Sequence, residues 1–397
     1  MRKIRMDEVC SFVSGYAWNS NDFNFMGNGL PIIRIQNIPY APDDEFAYWS
    51  KGYNDKFIVS YGDLIVSLSG SIKVDIWKGP VSLLNQRIVK IECDPNLINK
   101  KYAFIVISNL LKEIEMKGNS SIINNVSINV LKELQIDVPS IEDQVEIVQI
   151  LDKAQSLIDK RKQALARFDE LIQAVFLDMF GDPVSNNRSW EKVVLNQFID
   201  NIESGWSPVC KTIQASEDEW GVLKLSAITS GSFKASENKA ISESTTPKPS
   251  IEVRVNDLLF VRKNTLDLVG TCAYVFETPS KLMLPDTIFR FVLREDSNMN
   301  KLFLWQLFNY PKYKKQIQKL AGGTAGSMPN ISKSKLLNFE VIYPDTELQS
   351  KFSEIVHKIE LQKRKQFQSL QQLESNFQAL LQKAFKGELT VKDGVAV

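Results

Sequence analysis

Leu134-Gln135-Ile136-Asp137-Val138-Pro139, continued by Glu142-Asp143-Gln144, reads as a short β-type run, a proline and the entry to a long helical pattern. The construction recurs as Phe339-Glu340-Val341, Pro344 and Leu348-Gln349. One constant shift lays Val126-Ser127 over Ile331-Ser332, Leu131 over Leu336, Pro139 over Pro344 and Gln144 over Gln349. Behind each proline, apolar residues recur in alternating steps of three and four, the spacing of a heptad seam. Leu151, Ile158, Leu165 and Ile172 carry the first seam, and Phe352, Ile359, Leu370 and Phe377 the second. Arg161 interrupts the first near mid-length, and Lys363 and Gln366 the second. Such polar residues set register between paired helices. Residues 140–180 would extend about 60 Å at roughly 1.5 Å per residue. A chain that folds back after its first helix favours antiparallel pairing.

Each helix follows a larger mixed unit, and the two units run in the same order. In the first, β-type runs at Pro31–Ile38, Phe57–Ser67, Arg87–Glu92 and Leu134–Val138 are separated by turn signals such as Tyr61-Gly62-Asp63. A helical stretch spans Lys100–Met116. In the second, Trp220–Ile228 answers Gly29–Ile38, Asn256-Asp257-Leu258-Leu259-Phe260 answers Tyr61-Gly62-Asp63-Leu64-Ile65, and a helix Lys301–Leu320 answers Lys100–Met116. Gly15 and Gly205 also correspond. The tracts behind the units match closely while the units match loosely, a shared frame with different faces.

At 397 residues, 44% of them hydrophobic, the chain has room for two or three domains with ordinary cores. Its longest apolar stretch, Ala103–Ile107, is too short to span a bilayer, and Met1-Arg2-Lys3 is not followed by a signal-peptide core. Cys10, Cys93, Cys210 and Cys272 are scattered without CxxC spacing and read as reduced thiols of a cytoplasmic protein. The single histidine, His357, reads as a solvated helix residue. A net charge of +1 gives no global basic field, which leaves nucleic-acid binding to local patches.

Motifs for catalysis are weak. Asn37-Ile38-Pro39-Tyr40 resembles the loop by which amino-methyltransferases hold an exocyclic amine, but Ile38 replaces its first proline. The run Gly322–Ser327 lacks the Gly-Lys-Ser/Thr ending of a phosphate loop. Glu237-Asn238-Lys239 has the Glu-x-Lys form of nucleases without an acidic partner upstream. Binding is better supported. Ser67, Ser69, Ser71 and Lys73 follow the strand led by Asp63, and Arg262, Lys263, Asn264 and Thr265 follow the strand led by Asp257. These are side chains that pair with base edges and phosphates. Asn119 and Ser120 in the first unit, and Thr324 and Ser327 in the second, lie in small-residue loops where a backbone could approach phosphates.

In order and spacing, the sequence resembles the DNA-specificity subunits of Type I restriction–modification systems over essentially its whole length. The resemblance rests on the repeated strand–proline–helix tract and on the helix endings Phe180-Gly181-Asp182 and Phe385-Lys386-Gly387-Glu388-Leu389. It implies an α+β chain with a target-recognition domain over 1–139, a central helix over 140–185, a second target-recognition domain over 186–344 and a C-terminal helix and tail over 345–397. The two helices would pair as an antiparallel coiled coil, serving as a ruler and as a docking surface for two methyltransferase subunits. The implied chain is non-catalytic and binds no metal or cofactor. Each recognition domain would read one part of a split, asymmetric site in double-stranded DNA. S-adenosylmethionine, ATP and Mg2+ would belong to the methyltransferase and restriction/translocase subunits, the methyltransferases acting on a flipped adenine. Two other readings are a stand-alone adenine methyltransferase and a coiled-coil scaffold that reads no DNA.

Overall fold

The computed structural model describes residues 3–69, 72–116, 127–322, 328–386 and 388–389. Packing divides the chain into two units, Met1–Lys162 with Gln368–Val397, and Gln163–Phe367. Each unit thus holds one globular part with half of each long helix.

In the first unit, a four-stranded antiparallel sheet runs in the order Cys10–Ser14, Ile88–Cys93, Leu64–Ser67 and Val74–Ile76. A second sheet runs Ala47–Trp49, Leu30–Ile33, Ser82–Leu84 and Ile58–Val59, with one parallel pairing between Ile32 and Leu83. Lys3–Arg5 pairs with Gln135–Asp137 just before the first long helix. The strand Leu64–Ser67 is buried at every position because it has cover on both faces. Alternate residues point to opposite sides of a strand. Leu64 and Val66 accordingly join the core under the helix Lys100–Met116, while Ile65 packs with Ile33, Trp77 and Leu84 on the other face.

The second unit repeats this plan. Its sheet runs Ile199–Ser204, Ile288–Leu293, Leu258–Val261 and Cys272–Tyr274, and a smaller one runs Asn238–Ala240, Gly221–Leu223 and Leu282–Met283. Leu258 and Phe260 face the helical side, and Leu259 and Val261 the smaller sheet. The correspondence reaches single hydrogen bonds. Asp63 accepts from Ser60 N as Asp257 accepts from Arg254 N, both at 2.8 Å. Lys100 donates to Gly62 O as Lys301 donates to Asn256 O, both at 2.9 Å. A Cβ at Gly15 would lie 1.9 Å from Asn85 O, and one at Gly205 2.0 Å from Leu284 O, so both glycines mark a backbone contact that no side chain allows.

Gln144 and Gln349, one turn into the long helices, are fully buried. Gln144 accepts from Asn99 N (2.7 Å) and donates to Leu97 O and Pro139 O. Gln349 accepts from Asn300 N (2.9 Å) and donates to Pro344 O. Each amide joins the helix entry to the turn before the unit's own helix, which explains a matched polar residue in a buried place.

The long helices Ile141–Phe180 and Thr346–Lys386 pair antiparallel. In the first unit, Ile147, Leu151 and Ala154 share a core with Leu380 and Ala384. In the second, Ile172, Phe176 and Phe180 share one with Phe352, Val356 and Ile359. Ile158 and Leu370 are buried, and Leu165 and Phe377 half-buried. Lys162 pairs with Glu374 at 2.8 Å in the first unit, and Lys363 with Asp169 in the second. Lys363 also lies 3.7 Å from Glu360, whose carboxyl is pushed up by burial. His357 is exposed and sets its ring edge-on to Phe276 at 5.8 Å. Among the described residues, no helix is long and apolar enough to cross a membrane.

Three expectations need correction. The run Pro31–Ile38 is a strand only over Leu30–Ile33, because Asn37 accepts from Arg34 N and winds Ile35–Asn37 into a 3-10 turn. Phe57–Ser67 is two strands, separated by a turn with Gly62 at φ +89°. Lys301–Leu320 is two helices, Lys301–Asn309 and Pro311–Gln318. Pro311 has no N–H to continue the first helix and keeps Tyr310 extended, yet it suits the first turn of the second.

Candidate nucleic-acid interface

In the second unit, the strand Leu258–Val261 runs out into Arg262-Lys263-Asn264-Thr265. Arg262 N donates to Thr287 O (3.1 Å), and Arg262 O accepts from Ile331 N (2.9 Å). Lys263 and Gly322 each bridge to Asn330, with reciprocal Gly322–Asn330 hydrogen bonds of 2.9 Å. Two segments distant in sequence therefore meet. Between them lies a cleft of about 410 Å³ lined by Arg262, Lys263, Gly322, Met328, Asn330, Ser332 and Lys335. Its charged lining is wholly cationic.

The side chains divide sharply. Lys263 and Thr265 are exposed. Arg262 lies 5.2 Å over the Phe289 ring, donates through Nε to Asp286 O and approaches Asp286 Oδ2 at 3.8 Å. Such a pinned guanidinium presents a fixed edge rather than a free one. Asn264 is only 8% exposed and its Oδ1 accepts from Thr265 N, so its amide shapes the loop instead of facing outward. Thr324 and Ser327 lie outside the described residues.

In the first unit, Ser67 is buried and its Oγ accepts from Lys73 N at 2.8 Å. Lys73 donates in turn to Ile35 O at 3.2 Å. These two residues, named from the sequence as DNA-contacting, close the base of the loop. Ser69 is half-buried, while Ser71, Asn119 and Ser120 lie outside the described residues.

The sequence reading missed a neighbouring turn. Leu68 N donates to Arg87 O (2.8 Å), as Arg262 N does to Thr287 O, so Asn85-Gln86-Arg87 and Pro285-Asp286-Thr287 stand at equivalent places. Gln86 and Arg87 are exposed. Tyr16, half exposed, and Trp206 hold the turns through their N–H groups, at 3.0 Å to Leu84 O and 2.9 Å to Leu284 O. Lys248 lies 4.1 Å over the Trp206 ring, and Ser207 bonds Asp286. The available signal was the aromatic residue after each matched glycine, Gly15-Tyr16 and Gly205-Trp206.

Two buried cations have structural partners. Arg290 bonds Glu203, Asp257 at 3.1 Å and the carbonyls of Glu252 and Ser250. Lys90, its counterpart, bonds Ile58 O and Glu92. The Asn37 amide is buried, accepting from Arg34 N and donating to Glu45 O, so its tetrapeptide is a hydrogen-bonded turn. Glu237 accepts from Ser226 at 2.6 Å.

A sequence profile described as the Type I restriction modification DNA specificity domain matches residues 1–167 and again 188–375. The chain belongs to this family. Its two matches coincide with the two copies of the internal repeat. Over 163 residues the chain is 34% identical to the Type I restriction enzyme EcoEI specificity subunit of Escherichia coli, a match covering 41% of this chain and 27% of that protein. The chain thus spans about a quarter of that relative. Over 376 residues it is 23% identical to the MjaVIII specificity subunit of Methanocaldococcus jannaschii, covering 89% of this chain and 85% of the other. The crystal structure of the Type I S subunit from M. genitalium shares the fold, with a TM-score of 0.55 at 14% identity over 97% of this chain and 96% of that one.

Proposed function

We propose that this specificity-family chain reads a bipartite, asymmetric DNA site, one half through each unit, and performs no chemistry itself. One observation carries the reading. The same backbone junction occurs in both units, held by equivalent hydrogen bonds, yet its side chains differ: exposed Gln86 and Arg87 with half-buried Ser69 against exposed Lys263 and Thr265 with half-buried Asp286. A fixed frame with variable tips suits two readers of two different words. Arg offers paired donors to a guanine edge, Gln a donor and an acceptor to an adenine edge, and Lys263 and Lys335 offer charge to phosphates.

The partners in this reading are double-stranded DNA, two methyltransferase subunits docked along the paired helices, and restriction/translocase subunits. S-adenosylmethionine, ATP and Mg2+ act on those partners, with no cofactor on this chain. The complex works in the cytoplasm, where its DNA lies. Exchange of residues 186–344 for the corresponding unit of a relative, followed by mapping of methylated adenines, tests the proposal. One half of the methylated site changes and the other persists. A change in both halves, or in neither, contradicts it.

A further inference from the structure

Cys10 and Cys93 are register partners on adjacent antiparallel strands of the first unit. Asp94 N donates to Val9 O and Gly15 N donates to Ile88 O, both at 3.0 Å. These belong to the hydrogen-bonded residue pairs of the ladder, so alternation makes Cys10–Cys93 a non-hydrogen-bonded pair, the closer kind. Such pairs stand with Cα atoms about 4.5 Å apart, within the span of about 4.4–6.8 Å that a disulfide bridges. The two Sγ atoms lie 3.6 Å apart in a thiol hydrogen bond, with Cys10 buried and Cys93 partly exposed.

The second unit supplies an internal control. Its equivalent register pair is Ile199 with Leu293. Packing at this place is satisfied by two aliphatic side chains and does not call for sulfur. Cys272, by contrast, is wholly buried, and Cys210 bonds Pro208 O.

We propose that Cys10 and Cys93 are a dithiol modification site, which hydrogen peroxide converts to an intramolecular disulfide and a dithiol reductant restores. The hydrogen bond from Cys10 and the nearby charge of Lys100 hold the Cys93 thiol below the ordinary cysteine range. The shared hydrogen bond and burial push Cys10 up. Cys93 is therefore the attacking thiolate. Its sulfur attacks one peroxide oxygen, the O–O bond breaks, and the other oxygen leaves as water after taking a proton. The Cys10 sulfur then attacks Cys93 Sγ, the S–O bond of the sulfenic acid breaks, and a second water leaves with the Cys10 proton. Two electrons pass from the two sulfurs to the peroxide, and both thiol protons end in water. The new bond joins the strands beside the Asp94–Asn99 turn, whose Leu97 O and Asn99 N hold Gln144 of the long helix. Oxidation thus stiffens the entry to that helix. The proposal is independent of the DNA-reading function.

The test treats the native full-length chain with hydrogen peroxide at a dose that converts free cysteine to cystine. Labelling of thiols after denaturation and peptide mapping without reduction then follow. The expected result is joint loss of two labelled thiols, a peptide containing Cys10 linked to one containing Cys93, and recovery of both thiols with dithiothreitol. Thermal unfolding of the oxidised chain shifts upward and returns on reduction. Cys93→Val, which moves the pair toward its aliphatic counterpart, keeps the fold by circular dichroism and shows neither link nor shift. Two results overturn the proposal: both cysteines remaining labelled at that dose, or Cys93 reaching the sulfinic acid while Cys10 stays free.

Discussion

Ser67-Leu68 and Val261-Arg262 end equivalent strands in the two units, and their backbones make the same bonds. Leu68 N and Arg262 N donate to Arg87 O and Thr287 O, while Ser67 N and Val261 N donate to Lys73 O and Thr271 O. Beyond that frame the units diverge. The first closes its loop tightly over Ser67 and Lys73, and the second opens a longer loop that meets Asn330 and carries Lys263 outward. Buried main-chain groups must be paired whatever the unit reads, so the frame is held fixed, whereas exposed tips answer only to a partner.

The deepest difference inside the frame is Arg290 against Lys90. Arg290→Ala leaves Asp257 and Glu203 without their buried partner and destabilises the second unit by about 3–5 kcal/mol. Lys90→Ala removes a bond to one carbonyl and to an exposed carboxylate, and costs about 1 kcal/mol or less. Denaturant unfolding of both variants checks this, and equal costs would break the comparison.

Gln144→Leu and Gln349→Leu sharpen it from the other side, because here the units are alike. Each removes the buried acceptor of a part-buried main-chain N–H, of Asn99 or Asn300. Each therefore costs about 1–3 kcal/mol in its own unit. Hydrogen exchange resolved by unit reads the effect, and a loss confined to one variant would mean that the two helix entries are not equivalent.

The smallest effect lies in a segment that elongates the second unit. Glu219 accepts from Ser216 N and pairs with Lys211, which hold its carboxyl down at about 2, against an ordinary 4.5. A depressed carboxylate stabilises above its unfolded value and loses that contribution as pH falls through the folded one. The pairing is thus complete above about pH 4.5 and gone below about pH 2. The side chain is exposed, so the signature is local. An NMR titration of Glu219 with its midpoint at the ordinary value would contradict the pairing with Ser216 and Lys211.

The repeat, the antiparallel helices and the paired glutamines were legible because each depends on periodic burial or on a polar residue forced into a core. Pro311 signalled its own break, yet the largely apolar segment Leu302–Phe308 before it, interrupted only by Gln306, masked the signal. The candidate interface was legible only as segments. Ser67 and Asn264 have the composition of contact residues, but their polar atoms face their own loops, which composition cannot reveal. The Gln86-Arg87 turn escaped because it acquires its place through a hydrogen bond from a strand distant in sequence.

The central claim is that two exposed tips on one frame read two half-sites. It is tested most directly by binding isotherms of the reconstituted complex on duplexes altered in one half-site at a time, at two salt concentrations, for Arg87→Ala and Lys263→Ala. Arg87→Ala relaxes discrimination at the first half-site only, by about 1–3 kcal/mol for a lost bidentate base contact. Lys263→Ala weakens all duplexes alike and lowers the salt slope by about 1, the mark of one lost phosphate contact. Unchanged affinity and selectivity in both variants, or loss of discrimination at both half-sites from Arg87→Ala, would contradict the account.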